Sequence, residues 1–130
     1  LQAAGVIAVQ RELKALGWRV SAHASWRHIT GPEAFWSVAV PAATLKSAMI
    51  TLEQQHPLGR LFDLDVLQAD GRSLSRREFD LPPRRCLICD ELAAVCGRSR
   101  RHSNEELQVR IHQILHTYLS IQEERHVCTV

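Results

Sequence analysis

The chain has 130 residues, is 45% hydrophobic and 23% charged, and carries a formal net charge of +2. That length suits one domain with a real core, and no apolar run is long enough to cross a bilayer. The weak net charge excludes the strong overall basicity of a general nucleic-acid binder, although Arg72, Arg76, Arg77, Arg84, Arg85, Arg98, Arg100 and Arg101 are concentrated in one region.

Val6, Val9, Leu13 and Leu16 recur at helical spacing and Gly17 supplies a stop, which predicts an amphipathic first helix. From Trp18 the period changes to two. Trp18, Val20, Ala22, Ala24 and Trp26 share one face and Arg19, Ser21, His23, Ser25 and Arg27 the other, the pattern of a half-buried strand. After a turn at Gly31-Pro32, Ala34, Trp36, Val38 and Val40 alternate again, predicting a second strand antiparallel to the first. Pro41 then opens a helix with Leu45, Ala48, Met49 and Leu52 as its buried stripe, ending before Pro57.

The stretch from His56 to Asp65 is the chemical centre of the sequence. Pro57 and Gly59 interrupt regular structure, and a strand is expected over Leu61 to Leu67. In a strand, Phe62, Leu64 and Val66 face one side and Asp63 and Asp65 the other, with the two aspartates roughly 6 to 7 Å apart at Cα. Two carboxylates on one rigid side suit Mg2+, which is held by one or two carboxylates together with substrate phosphates; otherwise they are a solvated strand face. Asp70-Gly71 predicts a tight turn, and Leu74 to Phe79 a returning strand that brings Arg76 or Arg77 across from the carboxylates. His56 suits a base or a helix C-terminal cap.

Pro82-Pro83 leads into Cys86, Cys89, Cys96 and His102, expected to lie in a loop with at most a short helix over Glu91 to Cys96. Three thiols and an imidazole can close a tetrahedral Zn2+ site, necessarily structural because a catalytic zinc keeps one position open; the bland alternative is a set of small buried residues. Closely spaced thiols without a signal peptide fit the reducing cytoplasm. Arg60, Arg76, Arg77, Arg84 and Arg85 flank the acidic pair and suit phosphate. Ser103 and Glu106 form a capping box for a last helix striped with Leu107, Ile111, Ile114, Leu115, Tyr118 and Ile121; His112, His116 and His126 are expected at its surface. Together these predict an α+β domain over 1–130, with helices packed on one side of a mostly antiparallel sheet.

With these motifs in place, the chain resembles the citrate lyase holo-acyl-carrier-protein synthase family, the apo-citrate lyase phosphoribosyl-dephospho-CoA transferases. The resemblance rests on Gly31-Pro32-Glu33, Leu52-Glu53, His56-Pro57-Leu58-Gly59-Arg60, Asp63-x-Asp65 and Leu74-Ser75-Arg76-Arg77. It extends through Leu81-Pro82-Pro83-Arg84-Arg85-Cys86-Leu87-x-Cys89 and Ala93-Ala94-Val95-Cys96, with Arg98 and His102 following. It implies a nucleotidyltransferase-like fold and a single transferase domain lacking the family's further N-terminal segment, where a Ser-Arg-(Asp/Glu)-x-Arg stretch has no match here. It also implies transfer of the prosthetic group from triphosphoribosyl-dephospho-CoA to a serine of the apo acyl carrier protein of citrate lyase, with release of pyrophosphate. Asp63 and Asp65 would hold magnesium, with Glu78 or Glu53 as a third carboxylate. Gly59, Arg60, Arg76, Arg77, Arg84 and Arg85 would bind the triphosphate, and a carboxylate or His56 would activate the serine. Two other readings stand beside it: a transferase serving the malonate decarboxylase carrier, and a zinc-stabilised basic module for an acidic partner or nucleic acid.

Overall fold

The computed structural model describes residues 1–29 and 31–127, the side chains of 124–127 excepted. Its contacts group into two compact units, Leu1–Leu74 and Ser75–Val130. The described residues are α+β, with four α-helices and one two-stranded antiparallel sheet.

In the first unit, α1 (Gln2–Ala15) buries Ala8, Val9 and Leu13, the face its apolar spacing defines. Gly17 ends it at a φ of 69°. Its N–H donates to the Lys14 carbonyl and that of Trp18 to the Leu13 carbonyl, the paired bonds of a Schellman stop. Strands β1 (Val20–His28) and β2 (Gly31–Val38) follow, paired antiparallel.

The predicted face of β2 turns inward, but that of β1 does not. Every residue of β1 is exposed, while Ala34, Trp36 and Val38 of β2 are half-buried. Directly opposed residues of an antiparallel pair share a face. Trp36 stands opposite His23, and Ala34 opposite Ser25, whereas Ala24 and Trp26 stand opposite Phe35 and Glu33. The apolar row of β1 is therefore on the outer face, where Trp26 stacks on Phe35 with centroids 4.9 Å apart. The physical cause is a bulge between Val20 and Ala22, which changes the alternation by one residue. As a result Trp18 and Val20 join His23 and Trp36 in lining an open pocket of about 310 Å³, to which α1 contributes Leu13.

Helix α2 (Ala42–Gln55) starts after Pro41 and buries Lys46, Met49, Ile50, Leu52 and Glu53. A short 3-10 turn, Gly59–Leu61, leads into an extended segment that, among the described residues, has no strand partner from Phe62 to Asp65. The tight turn at Asp70-Gly71 forms as predicted: Gly71 has a φ of 86°, Asp70 Oδ1 accepts from the Arg72 N–H at 2.9 Å, and Leu67 bridges Ser73. The predicted strands over Leu61 to Leu67 and Leu74 to Phe79 do not. Pairing stops after the Leu74 N–H bonds the Val66 carbonyl, and Arg76–Phe79 is a 3-10 helix. Ser75 and Glu78 form a capping box there, with the Ser75 N–H donating to Glu78 Oε1 at 2.8 Å, which makes a helical turn cheaper than extension of the hairpin.

In the second unit, the cysteine loop is tied at its base by a bridge between Arg85 and Leu92 and by the Cys86 N–H on the Glu91 carbonyl at 2.7 Å. Helix α3 (Ala93–Ser99) follows, slightly later than predicted. Helix α4 (Asn104–Val127) starts at the predicted capping box: the Ser103 N–H donates to Glu106 Oε2 at 2.8 Å, and the Glu106 N–H to Ser103 Oγ at 3.1 Å. Its stripe from Leu107 to Ile121 is half-buried, and His112 and His116 are exposed. The side chain of His126 lies outside the described residues.

Candidate functional site

Each unit holds one constellation. In the first, Phe62 and Val66 are buried, Leu64 is half-buried, and Asp63 and Asp65 are exposed. The alternation expected of a strand thus survives without a strand beside it. What replaces the ladder is α2. Lys46 Nζ donates to the Leu64 carbonyl at 3.0 Å, and the Leu64 N–H donates to Glu53 Oε1 at 3.0 Å. Both polar groups of the residue between the aspartates are thereby satisfied, as inward-facing backbone requires. Glu53 is 7% exposed, so it acts beneath the acidic pair rather than beside it. Lys46 was not singled out from sequence. Its signal was a charge on the apolar face of α2, seven residues before another.

The turn feeding this segment is tightly built. His56 ends α2 with its N–H on the Leu52 carbonyl, and its Nδ1 accepts from the Leu58 N–H at 3.0 Å. Its ring packs against Phe62 with centroids 4.9 Å apart, and burial lowers its pKa from the usual 6.5. With Nδ1 accepting, the neutral ring carries its proton on Nε2. Gly59 is buried against the end of α2, and a β-carbon there would collide with the Glu53 carbonyl. That contact alone accounts for glycine at this position. Arg60 is exposed on the same turn.

In the second unit, the ligand atoms of Cys86, Cys89, Cys96 and His102 all lie within 4.8 Å of one another. Cys89 Sγ is 3.5 Å from Cys96 Sγ and 3.3 Å from His102 Nε2. A tetrahedral ion with bonds of about 2.3 Å to sulfur sets neighbouring sulfurs about 3.7 Å apart, so the group can hold a metal ion. The backbone supports it: the Ile88 N–H points at Cys86 Sγ from 3.5 Å. The N–H groups of Cys89 and Ile88 bring the Cys86 thiol down to about 6, while burial, with the Cys89 and Cys86 sulfurs adding, pushes Cys96 up to about 11. The helical turn of α3 and a left-handed Arg100, φ 47°, bring His102 back to the thiols; the Arg101 N–H seals this reversal on the Cys96 carbonyl at 3.1 Å.

Two of the remaining arginines bond backbone carbonyls close by in sequence. Arg76 Nε reaches the Pro82 carbonyl at 3.5 Å, and Arg85 Nη1 donates to the Asp90 carbonyl at 2.8 Å. Arg77 is exposed and Arg84 half-buried. The predicted opposition of Arg76 or Arg77 to the carboxylates across a hairpin is not formed, because residues 76–79 are helical rather than extended. Glu78 spends one carboxylate oxygen on capping that turn.

Residues 1–118 match the family described as Apo-citrate lyase phosphoribosyl-dephospho-CoA transferase. A protein of that name from Citrobacter koseri is 47% identical over 112 residues, covering 86% of this chain and 61% of its own. A probable one from Vibrio cholerae serotype O1 is 47% identical over 116 residues, covering 88% and 65%. One from Escherichia coli O9:H4 is 46% identical over 111 residues, covering 85% and 61%. The chain thus spans a little over three fifths of the length of the curated relatives it matches.

Proposed function

Since the chain belongs to the apo-citrate lyase phosphoribosyl-dephospho-CoA transferase family, we propose that it is a nucleotidyltransferase with a nucleotidyltransferase-like site. It transfers the phosphoribosyl-dephospho-CoA group of triphosphoribosyl-dephospho-CoA to a serine of the apo acyl carrier protein of citrate lyase. The seryl oxygen forms a bond to the phosphorus nearest the ribose, the bond from that phosphorus to the bridging oxygen breaks, and pyrophosphate leaves with the electron pair. The serine proton passes to a carboxylate. His56 is the weaker candidate for that task, because Nδ1 is engaged in its own turn.

The observation that carries this reading is the pair of exposed carboxylates on one side of an extended segment, with the Leu64 peptide between them tied at both ends. Asp63 and Asp65 are the residues that would hold magnesium, which when bound neutralises triphosphate charge. Arg60, Arg76, Arg77, Arg84 and Arg85 supply guanidinium forks for the phosphates. Cys86, Cys89, Cys96 and His102 bind Zn2+ as a structural site, four protein ligands leaving no position for substrate. Reduced thiols of this kind suit the cytoplasm. Among the described residues no helix is long and apolar enough to cross a membrane.

The test is to incubate the protein with apo carrier and triphosphoribosyl-dephospho-CoA, with and without Mg2+, and to weigh the carrier by mass spectrometry. The expected result is a Mg2+-dependent mass gain of one prosthetic group with equimolar pyrophosphate, lost in Asp63→Asn while the protein remains folded. An Asp63→Asn protein that keeps most of the transfer rate removes Asp63 from the site.

A second reading is favoured by Arg98, Arg100 and Arg101, all exposed and all between the ligands Cys96 and His102. In it the Cys3His turn presents a basic surface to an acidic partner. Stoichiometric zinc and salt-sensitive binding, without any carrier modification, would select it.

A further inference from the structure

Leu64 is the pivot of the acidic pair, and the way it is held is unusual. From Phe62 to Asp65 the chain is extended yet, among the described residues, has no neighbouring strand. Its polar groups meet an ammonium on one side and a carboxylate on the other. Lys46 and Glu53 are seven residues apart, two turns along one face of α2, and are 5% and 7% exposed. Burying two charges is costly, and seating a loop does not require it, since neutral amides or hydroxyls can bond a peptide equally well in number. A charged partner makes a hydrogen bond stronger than a neutral one does.

Strength is what an acidic pair demands. Two carboxylates side by side repel each other, and an untethered segment relieves that repulsion by twisting one of them away. Fixing the peptide between them on both edges prevents the twist. A slip of one residue is also opposed, because it would turn an aspartate inward towards the Glu53 carboxylate.

We propose that Lys46 and Glu53 are positioning residues that grip the Leu64 peptide from both edges and so hold Asp63 and Asp65 on the same side as a preformed pair for a divalent cation. The proposal rests on the assignment of Asp63 and Asp65 as metal ligands. The buried carboxylate contributes no metal bond; it acts through the backbone.

Mn2+ binding to the protein, followed by the loss of its free-ion EPR signal, tests this without turnover. Lys46→Met, which keeps the aliphatic stem and removes the donor, is expected to weaken Mn2+ binding by about ten- to a hundred-fold, the usual effect of losing an outer partner of a metal ligand. Glu53→Ala is expected to do the same. Glu53→Gln, whose amide oxygen still accepts from the Leu64 N–H but carries no charge, should recover only part of the affinity. Should Glu53→Ala fail to fold, Lys46→Met and Glu53→Gln decide on the same criterion. A role confined to folding lowers the unfolding midpoint of these variants but leaves the Mn2+ affinity of the folded protein unchanged. That result, with Asp63→Asn still losing Mn2+, overturns the clamp and leaves the metal assignment standing. Mn2+ held equally by Asp63→Asn and the unsubstituted protein overturns the metal assignment, and the clamp with it.

Discussion

The two units hold their candidate sites in opposite ways. In the first, an aliphatic core does the work: Leu13 and Leu58 are 2% and 1% exposed, and Val9, Met49, Ile50, Phe62, Val66 and Leu74 are buried around them. The acidic segment is fastened to that core by Lys46 and Glu53. In the second unit, the buried apolar side chains among the described residues are Cys86 and Cys96. Its longest helix contributes a stripe that is only half-buried. A unit of this size with so little aliphatic burial needs another source of cohesion, and a metal ion gathering three thiolates and an imidazole is one. One candidate site is therefore built on a core, and the other contains the buried residues of its own unit.

The largest expected effect tests that contrast directly. Zinc binding to small Cys/His sites supplies on the order of 10 kcal/mol or more of folding free energy. Removing it with a chelator should abolish the hydrogen-exchange protection of α3 and α4 while α1 and α2 stay protected. Uniform protection before and after chelation would mean that the second unit stands without metal.

A smaller effect is expected at Gly59. A methyl group there meets the Glu53 carbonyl, a backbone atom that cannot swing away. Gly59→Ala should cost about 1–3 kcal/mol, as overpacking does, measured by urea unfolding of the first unit. If Gly59 instead serves the substrate, stability should hold and only the KM for the triphosphate should rise.

The smallest effect is the pH dependence set by His56. Burial lowers its folded pKa below 6.5, so the unfolded chain takes up its proton first as pH falls. Stability is therefore full above about pH 6.5 and declines below it, until the folded ring also titrates. Replacing His56 by Gln should flatten this slope in the first unit, and an unchanged slope would assign the titration elsewhere.

Local signals in the sequence were legible where a few adjacent residues decide the outcome. Gly17 as a helix stop, Asp70-Gly71 as a turn, and Ser103 with Glu106 as a cap all appear where they were read. The same capping box at Ser75 and Glu78 was read as a strand instead, because its helical turn is short and follows a convincing hairpin turn. The chain's family was legible too, since it depends on blocks of residues rather than on geometry.

What the sequence determined by itself was the menu of local elements, the alternation that sends Asp63 and Asp65 to one side, and the set of four residues that could hold a metal ion. These depend on backbone sterics and short spacings, which act within a few residues. Only the tertiary structure decided that Ala22, Ala24 and Trp26 of β1 would turn outward, because a single bulge shifts the alternation of that strand by one residue. It alone decided that the Leu64 peptide would be held by Lys46 and Glu53 in place of a strand, since satisfying a backbone group depends on whatever side chain the fold brings within 3.0 Å, however distant in sequence.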